Sequence, residues 1–169
     1  MRTIETLMEQ HAHHGEVQWI GLRTRRRGPV EVVSEAAIGA SGLVGDRRQR
    51  PGKRAVTLFQ WEHLPVIAAL SAMASIDPAL LRRNIGVSGL QLLALRNRPF
   101  RLGSAILVGT GLCAPCSYME EALGKGGYNA VRGHGGICAR VMREGEFARG
   151  DALVPLCANE AQALGQEPT

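Results

Sequence analysis

The sequence has no long uninterrupted apolar run, which argues against a membrane-spanning helix. No stretch approaches the roughly 18 consecutive apolar residues that such a helix needs. Residues 1–16 carry acidic side chains where a secretory signal peptide needs its apolar stretch. We therefore expect a protein of the cytoplasm that has no membrane partner.

Aromatic residues are also scarce, at 4% of the chain, and only 21% of the residues are charged. The hydrophobic share of 45% is nevertheless large enough to bury a core, which excludes wholesale disorder. The 169 residues fit a single domain. Twenty-one glycines and eight prolines favour tight turns between short elements over a helical bundle. We therefore predict a mainly β fold with short helices (α+β).

The chain carries a formal net charge of +5 at pH 7. This balance favours anionic partners such as nucleic acid, phosphate or an anionic cofactor, without choosing between them. The sequence lacks both the aromatic platform and the helix-turn-helix pattern that would turn a basic charge into a nucleic-acid site. We therefore expect no nucleic-acid partner.

Hydrophobic periodicity and turn residues place the elements along the chain. We interpret residues 1–14 as an N-terminal helix or tail, 15–157 as the domain, and 158–169 as a frayed polar C-terminal tail. A glycine-punctuated loop is predicted over 38–46, and a turn at 144–145. The predicted helices cover 3–12, 60–73, 78–83 and 117–123, and the predicted strands cover 16–22, 30–33, 55–59, 99–102, 105–108, 137–142 and 152–154.

Four cysteines stand at positions 113, 116, 138 and 157. In a chain with no secretory signal they are expected to be thiols rather than a disulfide framework. Cys138 and Cys157 stand singly in apolar strands, so we interpret each as a buried, inert thiol. His134, between the glycines of a loop, is either a nitrogen ligand or hydrogen-bond donor, or an ordinary surface residue.

The pair Cys113 and Cys116 is the sharpest local feature. Cys116 stands at the predicted start of the helix over 117–123, where unpaired backbone N–H groups and the helix dipole stabilise a thiolate. A lone Cys-x-x-Cys spacing fits a redox dithiol, half of a zinc site, or two small apolar residues in a turn. A zinc site needs four ligands, and no second paired motif supplies them.

Several short motifs, each of moderate specificity, follow one another in a defined order. They cover 42–47 (GLVGDR), 54–58 (RAVTL), 82–85 (RRNI) with 89–90 (GL), 100–103 (FRLG), 110–116 (TGLCAPC), 133–141 (GHGGICARV) and 150–151 (GD). In this order the sequence resembles the MOSC family, a domain that forms the C-terminal part of molybdenum cofactor sulfurases and also occurs as small stand-alone bacterial proteins. The resemblance runs from about residue 19 to residue 156.

The resemblance implies a MOSC-type β-barrel of mixed strands with short peripheral helices, and a basic cleft that binds a molybdopterin-type cofactor. Cys116 matches the single cysteine that holds molybdenum in family members that reduce N-hydroxylated compounds. A thiolate suits this role because it is a soft donor. The further cofactor-binding candidates, which would contact the phosphate and pterin edges, are Lys53, Arg54, Arg83, Asn84, His134 and Arg140.

Three functions follow as hypotheses. The first is a molybdenum cofactor enzyme that reduces an N-hydroxylated or N-oxide small molecule with electrons from a separate reductase. The second is a non-catalytic carrier, in which Cys116 bears a persulfide or holds the cofactor for delivery to an apoenzyme. The third is a redox dithiol made of Cys113 and Cys116, which would require both thiols. The form of the molybdopterin stays open.

Overall fold

Seven strands close into a barrel around an apolar core in the computed structural model, which describes residues 1–165. Along the chain, the strands are β1 (Gly15–Arg23), β2 (Val30–Val32), β3 (Glu35–Gly39), β4 (Gly42–Leu43), β5 (Val56–Gln60), β6 (Ile85–Ser88), β7 (Pro99–Leu102), β8 (Ala105–Leu112), β9 (Ile137–Arg143), β10 (Gly145–Ala148) and β11 (Ala152–Pro155). The helices are α1 (Ile4–Met8), α2 (Leu64–Leu70), α3 (Ser117–Leu123), α4 (Gly127–Val131) and α5 (Ala158–Gly165).

The barrel runs β1, β11, β7, β8, β9, β5 and β6, and β6 pairs with β1 to close the ring. β5 and β6 are parallel, whereas the other neighbours are antiparallel. The predicted mainly β fold with a barrel of mixed strands is therefore confirmed. No helix within residues 1–165 is both long and apolar enough to cross a membrane.

β5 is buried along its whole length because both of its faces are covered. Val56 and Leu58 belong to the apolar core of the barrel. Phe59 belongs instead to a second apolar cluster outside the barrel, where its ring centroid lies 5.7 Å from that of Trp19. α2, α3 and α4 pack on this outer cluster. The outer cluster therefore joins these three helices to β1 and β5 of the barrel.

α3 follows the local signals in the sequence closely. It begins after Cys116 as its N-cap and ends at Gly124, whose φ of 81° favours glycine. Met119 and Leu123 are its buried residues. The prediction of a helix over 117–123 is confirmed.

A second sheet of three strands, in the order β10, β3, β4, lies beside the barrel. The sequence predicted a loop over 38–46 and a turn at 144–145, which include β4, the end of β3 and the start of β10. β3 pairs with β10 through contacts such as Ile38 with Gly145. Partners so far apart along the chain leave no local signal, because each strand becomes regular only once the other is in place.

Both ends of the described chain carry short helices. α1 is shorter than the predicted helix over 3–12, and Thr3 caps it, since the backbone N of Thr6 donates to Thr3 Oγ1 at 3.2 Å. The prediction of a frayed tail over 158–169 is wrong for residues 158–165, which form α5 with Ala161 buried. Residues 166–169 lie outside the described residues.

Candidate functional site

Two loops meet where β8 ends and β9 begins. We call residues 113–116 the cysteine loop and residues 133–136 the glycine loop. The backbone N of Cys113 donates to the carbonyl oxygen of Gly136 at 2.8 Å, which extends the β8–β9 ladder into the loops. A Cβ on Gly135 would lie 2.2 Å from the carbonyl oxygen of Cys113. The loops therefore pack backbone against backbone, and only glycine fits at 135.

Arg83 clamps the two loops from the inside. Its Nε donates to the Gly135 carbonyl at 2.9 Å, and its Nη2 donates to the carbonyls of Cys113 and Ala114 at 3.4 and 3.2 Å. Its Nη1 donates to the Leu81 carbonyl at 3.1 Å. The residue is only 7% exposed, and among residues 1–165 no carboxylate lies within 4.0 Å of its guanidinium. The site therefore contains a buried positive charge with no acidic partner.

Asn84, the next residue, lies at the centre of a buried polar network. Its Oδ1 accepts from Thr57 Oγ1 at 3.1 Å and from Arg23 Nη2 at 3.2 Å. Its Nδ2 lies 3.3 Å from the Gly21 carbonyl and 3.3 Å from Asp46 Oδ1. Because Asn84 is 1% exposed, its amide forms its hydrogen bonds inside the protein. It supports the site from below and does not present its amide to a cleft.

Asp46 and Arg23 form an ion pair in the same network. Arg23 Nη2 lies 2.8 Å from Asp46 Oδ2, and Arg23 Nε donates to Oδ1 at 3.1 Å. Burial disfavours the carboxylate, but the hydrogen bonds and the charge of Arg23 outweigh it, so the pKa of Asp46 is below its ordinary value. The pair therefore fixes the chain just before the basic segment 47–54.

A cleft of about 270 Å³, which we call the basic cleft, opens on one side of the cysteine loop. Thr110 forms part of its wall. Its Oγ1 lies 3.1 Å from the carbonyl oxygen of Cys138 and also contacts the carbonyl oxygen of Lys53. A Cβ on Gly111 would meet no atom within 4 Å, so a side chain at this position would occupy the cleft. The basic cleft is lined by Lys53, Arg54, Thr110, Gly111, Leu112, Ala114 and Cys138.

A second cleft, of about 210 Å³, lies on the other side of the same segment, and we call it the tyrosine cleft. Leu112 and Ala114 line both clefts, and Leu112 is 56% exposed between them. The tyrosine cleft therefore adds an aromatic ring and one more arginine to the surroundings of the loop. It is lined by Leu112, Cys113, Ala114, Pro115, Tyr128, Arg132, Gly133, Gly135 and Gly136.

Cys113 and Cys138 are both buried and interact through their thiols. A hydrogen bond from Cys138 lowers the pKa of Cys113, burial opposes this, and the charges of Arg83, Arg54 and Arg23 add to it, which leaves a pKa of about 6. The same hydrogen bond and burial raise the pKa of Cys138. Cys113 is therefore the thiolate of the pair and Cys138 its donor.

A family model described as "MOSC domain" matches residues 10–154, which is most of the chain. The chain belongs to the MOSC family. This family is associated with binding of the molybdenum cofactor. A search of curated proteins finds no match.

Solved structures show the same MOSC fold. The YuaD protein from Bacillus subtilis superimposes with a TM-score of 0.74 at 17% identity, covering 83% of this chain and 94% of the other. YiiM from Geobacillus stearothermophilus gives 0.70 at 17% identity, with 85% and 75% covered. YiiM from Escherichia coli gives 0.67 at 18% identity, with 91% and 79% covered. At such identities the likeness establishes the fold and carries no residue roles.

The six residues predicted to bind the cofactor, and Cys116, occupy different environments in this MOSC domain. Lys53 and Arg54 line the basic cleft, as the resemblance implies. Cys116 is exposed at the N-cap of α3, and its side chain makes no capping hydrogen bond. Arg83 is buried beneath the loops and Asn84 within the polar network. The structure therefore brings Lys53, Arg54 and the cysteine loop together at the surface.

His134 and Arg140 lie apart from this group. His134 Nδ1 lies 3.3 Å from His63 Nδ1, with the two rings nearly perpendicular, so its side chain is directed toward the start of α2. Arg140 is exposed on β9, opposite Val108 of β8. Neither residue is among those that line the two clefts.

Sequence reasoning missed the pairing of Cys113 with Cys138. Cys138 was interpreted as a buried, inert thiol, and its burial is confirmed. Its contact with Cys113 depends on the β8–β9 register, which local pattern does not reveal. The prediction that Cys157 is buried is wrong, because the chain leaves the sheet after Pro155 and Cys157 is exposed before α5.

Proposed function

We propose that this MOSC protein binds a molybdenum cofactor through Cys116 and reduces N-hydroxylated or N-oxide small molecules. One observation carries the proposal. Cys116, the last residue of the cysteine loop, is an exposed thiol that makes no capping hydrogen bond, and Lys53 and Arg54 line the basic cleft beside the same loop. A soft donor therefore stands two residues along the chain from Ala114, which shares the basic cleft with two cations.

The donor set suits a metal that brings its own organic ligand. Among residues 1–165, no group of three or more His, Cys, Asp or Glu side chains could hold a metal ion. The protein thus offers a single thiolate rather than a complete metal cage, which fits a metal already held by the sulfurs of a pterin. The gap beside Gly111 and the cations of the basic cleft fit a flat, anionic group.

Each residue has a distinct task in this proposal. Cys116 ligates the metal, and Lys53 and Arg54 pair with the cofactor phosphate. Arg83 and Asn84 are positioning residues, because they hold the cysteine loop and the chain beneath it without facing a cleft. His134 and Arg140 stay predictions from the resemblance. Leu112 and Tyr128 offer an apolar edge to an organic substrate.

The overall reaction removes one oxygen atom from the substrate as water. It requires two electrons and two protons, so an N-hydroxylated amine becomes the amine. The bound cofactor supplies the redox chemistry, and a separate reductase supplies the electrons. The exposed position of Cys116 leaves room for such a partner protein.

The same exposure favours a second function. An enclosed site would protect a cofactor, whereas an exposed thiol lets another protein reach whatever it carries. In this alternative, the protein is a carrier that delivers the cofactor, or a persulfide sulfur on Cys116, to an apoenzyme. Turnover of the metal-loaded protein with an artificial electron donor separates the two functions, because only the enzyme consumes substrate.

The test compares wild type, Cys116→Ser and Cys157→Ser, all produced in cells that make the cofactor. Cys157 is the matched control because it is also an exposed cysteine. We expect near-stoichiometric molybdenum and pterin fluorescence in the wild type and in Cys157→Ser, and loss of both in Cys116→Ser. Absence of both signals from the wild type, or their retention in Cys116→Ser, overturns the proposal.

A further inference from the structure

The β8–β9 register brings two cysteines from distant parts of the sequence together. Gly111 pairs with Cys138, and Leu112 pairs with Ile137. The backbone bond from Cys113 to Gly136 continues this pairing by one more residue. Cys113 therefore lies diagonally across from Cys138 on the same face of the ladder, where their thiols meet.

The surroundings make one of these thiols a thiolate. The Arg83 guanidinium is buried and has no carboxylate within 4.0 Å among the described residues. A buried cation needs an anion nearby, and Cys113 is the ionisable group beside it. Cys138 supplies the hydrogen bond that stabilises the charge. This division into a thiolate and a thiol is what disulfide chemistry requires.

Both cysteines are buried, and each lines one of the two clefts. Cys113 lines the tyrosine cleft and Cys138 lines the basic cleft, on opposite sides of the cysteine loop. Each cleft is large enough for a molecule the size of hydrogen peroxide. Cys116 takes no part in this arrangement, because neither cleft includes it among its lining residues.

We propose that Cys113 and Cys138, rather than Cys113 and Cys116, form a redox-active pair that closes to a disulfide when hydrogen peroxide enters the clefts. The Cys113 thiolate attacks the peroxide, so that Cys113 becomes a sulfenic acid and hydroxide leaves. The Cys138 thiol then attacks the sulfenic sulfur, which forms the disulfide and releases water. In total, the thiolate and the thiol lose two electrons and one proton, and one peroxide becomes one hydroxide and one water.

The modification changes the charge at the centre of the site. The thiolate beside Arg83 becomes a neutral disulfide, so the buried guanidinium loses its anionic neighbour. The hydrogen bonds from Arg83 to the carbonyls of Cys113 and Ala114 then hold a loop in which the Cys113 sulfur is bonded to Cys138 of β9. This inference does not rest on the proposed cofactor function, since it uses neither Cys116 nor a metal.

Tryptic mapping tests the pairing directly in the wild-type protein. Cleavage after Arg101, Lys125, Arg132 and Arg140 places Cys113 and Cys116 together in the peptide 102–125, and Cys138 alone in the peptide 133–140. A bond between Cys113 and Cys116 stays within one peptide. A bond to Cys138 joins the two peptides, which a mass spectrum of the non-reduced digest detects.

The variants assign the bond to individual thiols. After peroxide treatment of the native protein, we expect the joined peptides in the wild type, Cys116→Ser and Cys157→Ser. In Cys138→Ser, we expect a sulfenic acid on Cys113 that a dimedone-type reagent traps, because the second thiol is missing. An internal Cys113–Cys116 bond, loss of the joined peptides in Cys116→Ser, or no oxidation of Cys113 in the wild type overturns the proposal.

Discussion

Arg83 and Cys113 are connected both through the main chain and through charge. Arg83 Nη2 lies 3.4 Å from the carbonyl oxygen of Cys113, and the Arg83 charge helps to lower the pKa of the Cys113 thiol. One side chain therefore shapes the loop and sets the ionisation of the sulfur that the loop carries. The fold places this arginine two residues before β6, near the end of the segment that connects β5 to β6.

Replacing Arg83 should affect stability and ionisation together. Arg83→Leu leaves three buried carbonyls and one partly buried carbonyl without their charged donor, so we expect a loss of about 3 kcal/mol in the free energy of unfolding, measured by urea denaturation. The pKa of Cys113 should rise toward its ordinary value, measured by the pH dependence of its alkylation rate. The control Arg132→Leu changes an exposed arginine of the tyrosine cleft and should cost less than about 0.5 kcal/mol. Equal effects of the two variants would contradict this account of the clamp.

The thiolate of Cys113 should make stability depend on pH. Its pKa is about 6 in the folded protein against an ordinary value of 9.0, so its stabilising contribution is complete above pH 9.0 and disappears as the pH falls toward 6. The raised pKa of Cys138 acts in the opposite direction, but only above its ordinary value of 9.0. The difference in unfolding free energy between wild type and Cys113→Ser should therefore grow as the pH rises from 6 to 9. A constant difference across that range would show that Cys113 is neutral in the folded protein.

The ion pair of Arg23 with Asp46 should contribute much more than an exposed pair. Asp46→Asn removes the charged partner of an arginine whose side chain is 14% exposed, and we expect a loss of about 3 kcal/mol. Glu121→Gln serves as the matched control, because its pair with Arg27 has side chains 53% and 58% exposed and should contribute less than about 0.5 kcal/mol. Chemical denaturation at neutral pH measures both. Similar losses for the two variants would contradict the prediction, because the buried pair would then contribute no more than the exposed pair.

Two glycines should respond differently to substitution. Gly111→Leu places a side chain where no atom lies within 4 Å, so it should fill the basic cleft and reduce the pterin content several-fold without a large loss of stability. Gly135→Ala brings a Cβ to 2.2 Å from the Cys113 carbonyl, and should cost about 2 kcal/mol through displacement of the loops. Pterin fluorescence and thermal unfolding of the two proteins separate the effects. Full pterin retention in Gly111→Leu would place the cofactor elsewhere.

The elements that the sequence predicts well carry their signals locally. The helix over 117–123 has its stop at Gly124 and its apolar residues at helical spacing, and the hairpin of β7 and β8 has its turn at Gly103 with the alternation of Phe100 and Leu102. β3 and β10 escaped prediction because their order comes from pairing between residues about a hundred positions apart. The two residues of β4 pair locally with β3 and fell within the predicted loop. Motif order, not periodicity, predicted the closed barrel.

The candidate site also contains residues whose place the sequence predicts and residues whose place it does not predict. Arg54 was predicted from its motif position and Lys53 as a further candidate; both line a cleft, and their binding of a cofactor stays a prediction. Asn84 was predicted to contact the cofactor, whereas its amide is used by Thr57, Arg23 and Asp46. A motif identifies a residue that the family needs but not the direction in which its side chain points. The contact between Cys113 and Cys138 required a strand register, which only the three-dimensional structure provides.

The closure of the barrel also has a consequence for synthesis. β1 pairs with β11, with Gly15 opposite Leu153, so the first and last strands of the barrel are neighbours. During translation, β1 is made early but cannot pair with β11 until residues 152–155 have been added to the chain. A nascent chain that lacks β11 therefore has two unpaired strand edges, on β1 and β7, and its apolar core stays open to chaperones and to other chains until the final strand leaves the ribosome.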